Sequence, residues 1–207
     1  MAERAHPDLD GFRDRWRVRW RFGVVPWPER YKNPYRAEVL WRYRWVGPFC
    51  EGKDVLDVPC GMGWGTSLIR GTRSIIGLDI SERAVQEARS RYGTHASFRV
   101  GSMDKLDFPD ATFDTIVCLE GIEHVPKPVA RSFVTEARRV LRPSGQLLLS
   151  SPHPRHGTHS GNPYHAYEYP PEEMRALLET RFDVVDVSSR GVDELIIHYF
   201  HAKKPEL

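Results

Sequence analysis

The sequence predicts one α/β domain built on a mostly parallel sheet, and three observations predict it. From Val55 onward short apolar runs alternate with helical patterns, the signature of β-α units rather than of a sandwich. The first run, Val55-Leu56-Asp57-Val58, opens directly into Pro59-Cys60-Gly61-Met62-Gly63-Trp64-Gly65. The chain closes on two alternating segments, 182–187 and 195–201, that fit an antiparallel hairpin. With 207 residues there is room for one domain, since domains hold roughly 100 to 200.

Taken in order, strands are expected over 54–58, 74–79, 97–100, 112–119 and 146–150, each an apolar run of strand length bounded by turn residues. A helix is expected after the glycine loop. Ser81 is the cap of another, with Ala84, Val85 and Ala88 on one face and an end near Gly93. Val129, Phe133, Val134, Ala137, Val140 and Leu141 recur at helical spacing and predict a third, stopped by Pro143 and Gly145. Residues 151–163 are rich in Pro, His and Gly and too long for a simple connection, which marks a functional loop. A further helix is expected over 171–180. No internal repeat interrupts this order.

Hydrophobic residues make up 40% and charged residues 28%, close to average, so a core forms and global disorder is excluded. The longest purely apolar runs are far short of the roughly 20 residues that a membrane span needs. The three cysteines, Cys50, Cys60 and Cys118, have neither metal nor redox spacing, and the first residues lack a leader's apolar segment. A reducing cytoplasm is the address expected.

Twelve of the 30 Lys+Arg and seven of the 28 Asp+Glu fall in residues 1–53, so a basic head precedes an acidic body. Arg13, Arg15, Arg17, Arg19 and Arg21 alternate there with Trp16, Val18 and Trp20, a strand period with one cationic and one aromatic face. Such a face suits phosphate or nucleic acid, or an edge strand whose aromatic side packs on the body. The expected organisation is a single domain over 1–207, with 1–50 an extension or lid and 51–207 the core. Trp16, Trp20, Tyr31 and Tyr35 are the expected lid over the acceptor.

The glycine loop lets the backbone turn sharply and approach a ligand. Its glycines depart from the dinucleotide pattern, and Asp57 stands just before it, where a carboxylate repels a pyrophosphate but binds an ammonium. Asp79 ends the next strand, placed to accept hydrogen bonds from ribose hydroxyls. A ligand with a cationic amino-acid end and an adenosine end meets both: S-adenosylmethionine.

The series VLDVPCGMGWG, GLDIS, VGSMDKLDFPDATFD, EGIEHV and RRVLRPSGQLLLSSP resembles the successive motifs of class I S-adenosylmethionine-dependent methyltransferases. The likeness covers roughly residues 36 to 190. It implies a Rossmann-like fold: a seven-stranded, mostly parallel sheet with a C-terminal antiparallel hairpin and helices on both faces. It also implies that Asp57, Cys60, Gly61 and Gly63 hold the methionine end, Asp79 and Ile80 the ribose side, and Ser102, Met103 and Asp104 the adenine. One departure matters, because Gly101-Ser102 stands where the family often has Gly-Asp.

Strand four ends in Glu120-Gly121-Ile122-Glu123-His124, at the carboxyl edge where open α/β sheets bind ligands. Glu120 also counts among the cofactor residues. For a hydroxyl acceptor a base or Lewis acid is needed, and Glu120, His124 and His165 are the candidates. Asn162-Pro163-Tyr164-His165-Ala166-Tyr167-Glu168-Tyr169 resembles the NP-[FY]-H-x-x-E motif of bacterial methyltransferases found with glycan and small-metabolite pathways, with which Pro28-Glu29-Arg30-Tyr31 and Arg42-Tyr43 also agree. Glu-x-x-Glu-His with a late histidine equally resembles the metal site of small-RNA 3′-terminal 2′-O-methyltransferases, implying Mg²⁺ or Mn²⁺ on Glu120, Glu123, His124 and His165. His153, His156 and His159 read as exposed loop residues, one of them near the acceptor, and His198 and His201 as structural.

Three functions follow. The first is an O-directed methyltransferase acting on a small metabolite, sugar or glycolipid precursor. The second is metal-dependent 2′-O-methylation of RNA, and the third a non-catalytic adaptor that keeps the cofactor fold.

Overall fold

The computed structural model describes residues 34–192 and 194–206. Helix α1, Pro34–Cys50, buries Val39, Tyr43, Val46 and Cys50, a four-three-four spacing that puts all four on one face. It lies within the segment expected as an extension, and it belongs to the same apolar cluster as Val55, Ile69, Ile75 and Leu148. The arginine-tryptophan alternation, the expected aromatic lid and Pro28-Glu29-Arg30-Tyr31 lie outside the described side chains.

Seven strands follow: β1 Asp54–Asp57, β2 Ser74–Asp79, β3 Ser97–Val100, β4 Phe113–Leu119, β5 Leu141–Pro154, β6 Asp183–Val192 and β7 Leu195–Lys203. They form one sheet in the order β3-β2-β1-β4-β5-β7-β6. The first five are parallel, and β7 is antiparallel to both β5 and β6. The seven-stranded sheet with its closing hairpin is therefore as expected. Alternate residues of β1 face opposite layers: Val55 joins the cluster with α1 and α2, Glu82–Tyr92, while Leu56 joins the one with α3, Lys127–Val140, and α4, Pro171–Glu179. Helices thus cover both faces.

Ser81 caps α2 by accepting from the Ala84 N–H at 3.3 Å, as its sequence position predicts. Three expectations need correction. The helix expected after the glycine loop is a single 3₁₀ turn, Thr66–Leu68. Gly61 and Gly63 adopt φ of +55° and +78°, which breaks helical hydrogen bonding, and α1 already fills that face of the sheet. Strand five runs from 141 to 154 rather than 146 to 150, because it pairs with β7 as far as Pro154↔Leu195, past its last β4 pair, Leu119↔Ser150. Pro152 and Pro154 are tolerated there because β5 is paired on one side only. The expected loop 151–163 consequently loses its first four residues, His153 among them, to the strand.

Candidate cofactor and acceptor site

The carboxyl ends of β1, β2 and β4 converge at the break in strand order, the usual binding crevice of open parallel sheets. Asp57 ends β1 with no exposed surface. Its Oδ2 accepts from the Thr66 hydroxyl at 2.6 Å and the Tyr43 hydroxyl at 3.5 Å. Its Oδ1 has no partner among the described residues. Burial pushes the Asp57 carboxyl up to about 7, Thr66 and Tyr43 oppose that rise, and the nearby Asp79 adds to it. An unpartnered buried carboxylate oxygen is costly, and an ammonium is the natural partner to relieve it.

Asp79 ends β2 and is also buried. One oxygen accepts from the Gly61 N–H at 2.9 Å and the other from the Ser81 N–H at 2.8 Å. It therefore braces the glycine loop and the start of α2, and each oxygen keeps a further lone pair. Cys60 is held by its N–H on the Leu78 carbonyl at 2.8 Å. Gly63 is required twice over: its φ is left-handed, and a Cβ would stand 2.8 Å from both Ala88 and Phe98. Ile80 follows Asp79 with 70% of its surface exposed, a bare aliphatic ledge at the mouth of the crevice. Ser102 donates to Asp104, and Met103 is buried beneath them. Cys118 stays a thiol, since burial pushes it well up.

At the tip of β4, Glu120 takes φ +49°, a conformation that a non-glycine residue holds only when its surroundings dictate it. Its N–H donates to the Ser150 carbonyl at 3.1 Å, its Oε1 accepts from the Ser150 hydroxyl at 2.7 Å, and its Oε2 lies 3.3 Å from the Arg42 guanidinium. Glu123 and His124 belong to a 3₁₀ turn, Ile122–His124. Glu123 is 1% exposed with Oε2 unpartnered among the described residues. Burial holds its carboxyl well above the usual range, and Glu120 adds to the effect. The Glu123 carbonyl accepts from the Ala166 and Tyr167 N–H groups at 2.7 and 3.1 Å, which folds the 160–169 loop over this turn. His124 Nδ1 meets the Tyr164 carbonyl at 2.9 Å.

In that loop His165 Nδ1 bonds the buried Glu168 carboxylate, which Ser160 also engages through its N–H and hydroxyl. His165 Nε2 faces the Asn162 side-chain nitrogen at 2.9 Å. A carboxylate on Nδ1 fixes the imidazole with its lone pair on Nε2, the arrangement of an oriented base. The His124 and His165 rings meet edge to face at 4.9 Å.

Of the four residues expected to bind a metal, the structure gathers three: donor atoms of Glu123, His124 and His165 lie within 4.8 Å of one another. Glu120 is held away by Arg42 and Ser150, and both ring nitrogens of His165 already have partners. As arranged, the quartet does not fit a divalent ion. His153 stands on β5 with its ring 6.5 Å from that of His198, and His198 Nδ1 lies 2.8 Å from the Ser189 hydroxyl. His201 Nε2 lies 2.9 Å from the Gln146 carbonyl oxygen, a sheet contact. His156 is exposed, and His159 Nε2 is 3.3 Å from the His165 carbonyl. Tyr43, Thr66, Asn162 and Glu168 are the site residues that the sequence reading did not assign. Glu168 carries a signal in its three-residue spacing from His165; Tyr43 carries none.

A family model described as a methyltransferase domain matches residues 55–145. A probable S-adenosylmethionine-dependent methyltransferase of Mycolicibacterium smegmatis is 39% identical over 158 residues, covering 73% of this chain and 59% of its own length. A fatty-acid O-methyltransferase of the same organism is 32% identical over 149 residues, covering 70% and 53%. The chain thus spans about half to three-fifths of the length of these curated relatives. The solved structure of a Pyrococcus horikoshii protein shares the fold, with a TM-score of 0.70 at 22% identity over 94% of this chain and 100% of that one. Among the described residues no helix is long and apolar enough to cross a membrane.

Proposed function

We propose that this chain, which belongs to the class I S-adenosylmethionine-dependent methyltransferase family, transfers the cofactor's methyl group to a hydroxyl oxygen of a small acceptor: a metabolite, sugar or glycolipid precursor. The observation that carries the reading is Asp57, a wholly buried carboxylate with one oxygen tied and the other bare beside a left-handed glycine loop. Bound cofactor would place its ammonium on Oδ1, its ribose hydroxyls on the spare lone pairs of Asp79, and its adenine near Ile80 and the Ser102–Asp104 turn. S-Adenosylmethionine supplies an electrophilic methyl on a sulfonium.

His165 supports the choice of oxygen. The acceptor oxygen forms a bond to the methyl carbon while the carbon–sulfur bond breaks and leaves its electron pair on sulfur. The hydroxyl proton passes to His165 Nε2, where the acceptor replaces the Asn162 amide, and Glu168 on Nδ1 stabilises the imidazolium that results. The fatty-acid O-methyltransferase among the relatives agrees with an oxygen acceptor.

The test is transfer of label from methyl-tritiated S-adenosylmethionine into a cell extract separated into RNA, glycolipid and small-molecule pools, with and without EDTA. Label is expected in the small-molecule or glycolipid pool and insensitive to EDTA. RNA labelling that EDTA abolishes would install the metal reading on Glu123, His124 and His165 instead, and cofactor binding with no labelled pool would install the adaptor. With an acceptor in hand, His165→Gln should lower kcat about 10²- to 10⁴-fold while cofactor affinity stays put. Unchanged kcat would remove His165 as the base.

A further inference from the structure

Tyr43 stands outside every motif of the cofactor loop, yet its side chain is built into that loop. It comes from α1, 14 residues before Asp57, and its buried hydroxyl lies 3.5 Å from Asp57 Oδ2. Its ring occupies the space beside Gly65, where a Cβ would fall 2.0 Å from Cζ and 2.3 Å from the hydroxyl oxygen. Gly65 is therefore glycine because Tyr43 is there; its own φ is −61°, which any residue adopts. Two hydroxyls, from Tyr43 and Thr66, converge on one oxygen of Asp57 and leave the other without a partner. A carboxylate tied at one oxygen has its plane set, so the second oxygen is presented in a fixed direction.

We propose that Tyr43 is a positioning residue of the cofactor site, acting through Asp57 to present its free oxygen to the amino-acid end of the ligand. The inference rests on the reading of Asp57 given above and adds a residue to it. Burial disfavours the ionised carboxylate, and a hydroxyl donating to it works in the opposite direction. Tyr43 thus both orients the anion and helps it exist at neutral pH. The facing groups are few: Asp79 raises the Asp57 carboxyl, while Thr66 and Tyr43 lower it.

Tyr43→Phe keeps the ring beside Gly65 and removes only the hydroxyl, so the fold is expected to survive; thermal unfolding checks that it does. The probes are S-adenosylmethionine and 5′-methylthioadenosine, which keeps the adenosine end and lacks the amino acid, titrated calorimetrically from pH 6 to 8.5. Wild type should bind S-adenosylmethionine more tightly as pH rises through about 7, where Asp57 ionises, and methylthioadenosine equally at all pH values. In the variant the S-adenosylmethionine dissociation constant at pH 7 should rise about three- to tenfold, its pH midpoint should move upward, and methylthioadenosine should be unaffected. Thr66→Val should give the same signature with a larger amplitude. Equal weakening of both probes would reduce Tyr43 to packing, and unchanged S-adenosylmethionine binding would overturn the proposal alone. A wild-type chain that fails to bind S-adenosylmethionine at any pH would overturn the Asp57 reading beneath it.

Discussion

Strand β1 is four residues long and carries an aspartate at each end, and the two have opposite surroundings. At the amino end Asp54 accepts from the Ser74 hydroxyl at 2.8 Å, from Arg73 at 3.0 Å and from Arg142 at 3.0 Å. Its neighbour across β4, Asp114, accepts from the Asp54 N–H at 2.9 Å and lies 3.1 Å from Arg142. The Ser74 hydroxyl, then Arg73 and Arg142, hold Asp54 below the usual carboxylate range. Asp114 also lies low, because those partners outweigh its burial. At the carboxyl end Asp57 and Glu123 are deeper, each has an oxygen without a partner among the described residues, and burial holds both high. One end of the sheet has satisfied its charges with its own side chains. The other has left them for something else to satisfy, which is how a binding site differs from a structural ion cluster.

The sharpest break of that comparison is to remove the same charge at each end. Asp57→Asn should weaken S-adenosylmethionine about 10- to 100-fold, the scale of a lost hydrogen bond to a charged group, with no loss of fold, since it removes a buried anion rather than a partner. Calorimetric binding measures the first and thermal unfolding the second. Asp54→Asn should do the reverse: cofactor affinity unchanged, and stability lowered by about 1 to 2 kcal/mol as Arg73 and Arg142 lose a carboxylate. Cofactor binding that depends equally on both aspartates would dissolve the distinction.

How far each end could be read in the sequence follows from the same contrast. Asp57, Gly61, Gly63 and Asp79 were legible because a sharp turn and a close approach demand particular residue types at fixed spacings from a strand. The strands over 74–79 and 97–100 were legible because each is an apolar run bounded by turn residues. Tyr43 was not, for its role is set by an aspartate on another element and nothing in its own neighbours encodes that meeting. The extra length of β5 was hidden for the same reason, since residues 151–154 are strand only because β7 lies beside them. The expected helix after the glycine loop failed because local pattern does not show that α1 already covers that face. Around the acceptor, Glu168 was visible as spacing and invisible as chemistry until the loop brought it onto His165.

The smallest expected effect is the one that reads both ends in a single titration. A carboxyl held low in the fold adds stability that is present above its unfolded value, about 4, and is lost as pH falls below that. Asp54 and Asp114 therefore govern the acid limb. A carboxyl held high makes the fold take up protons that the unfolded chain has released, so stability falls as pH rises between about 4 and the folded value, which for Asp57 is about 7. Glu123 acts with the same sign. The unliganded chain should thus unfold at a lower temperature at pH 8 than at pH 5, and Asp57→Asn should shrink that difference while leaving the share due to Glu123. Saturating S-adenosylhomocysteine, which carries the same amino-acid end, should shrink it in wild type by placing an ammonium beside the bare oxygen, and should do so little in the variant. A pH dependence unchanged by both the substitution and the ligand would mean that Asp57 is ionised and satisfied without a ligand, and the two ends of β1 would then be alike.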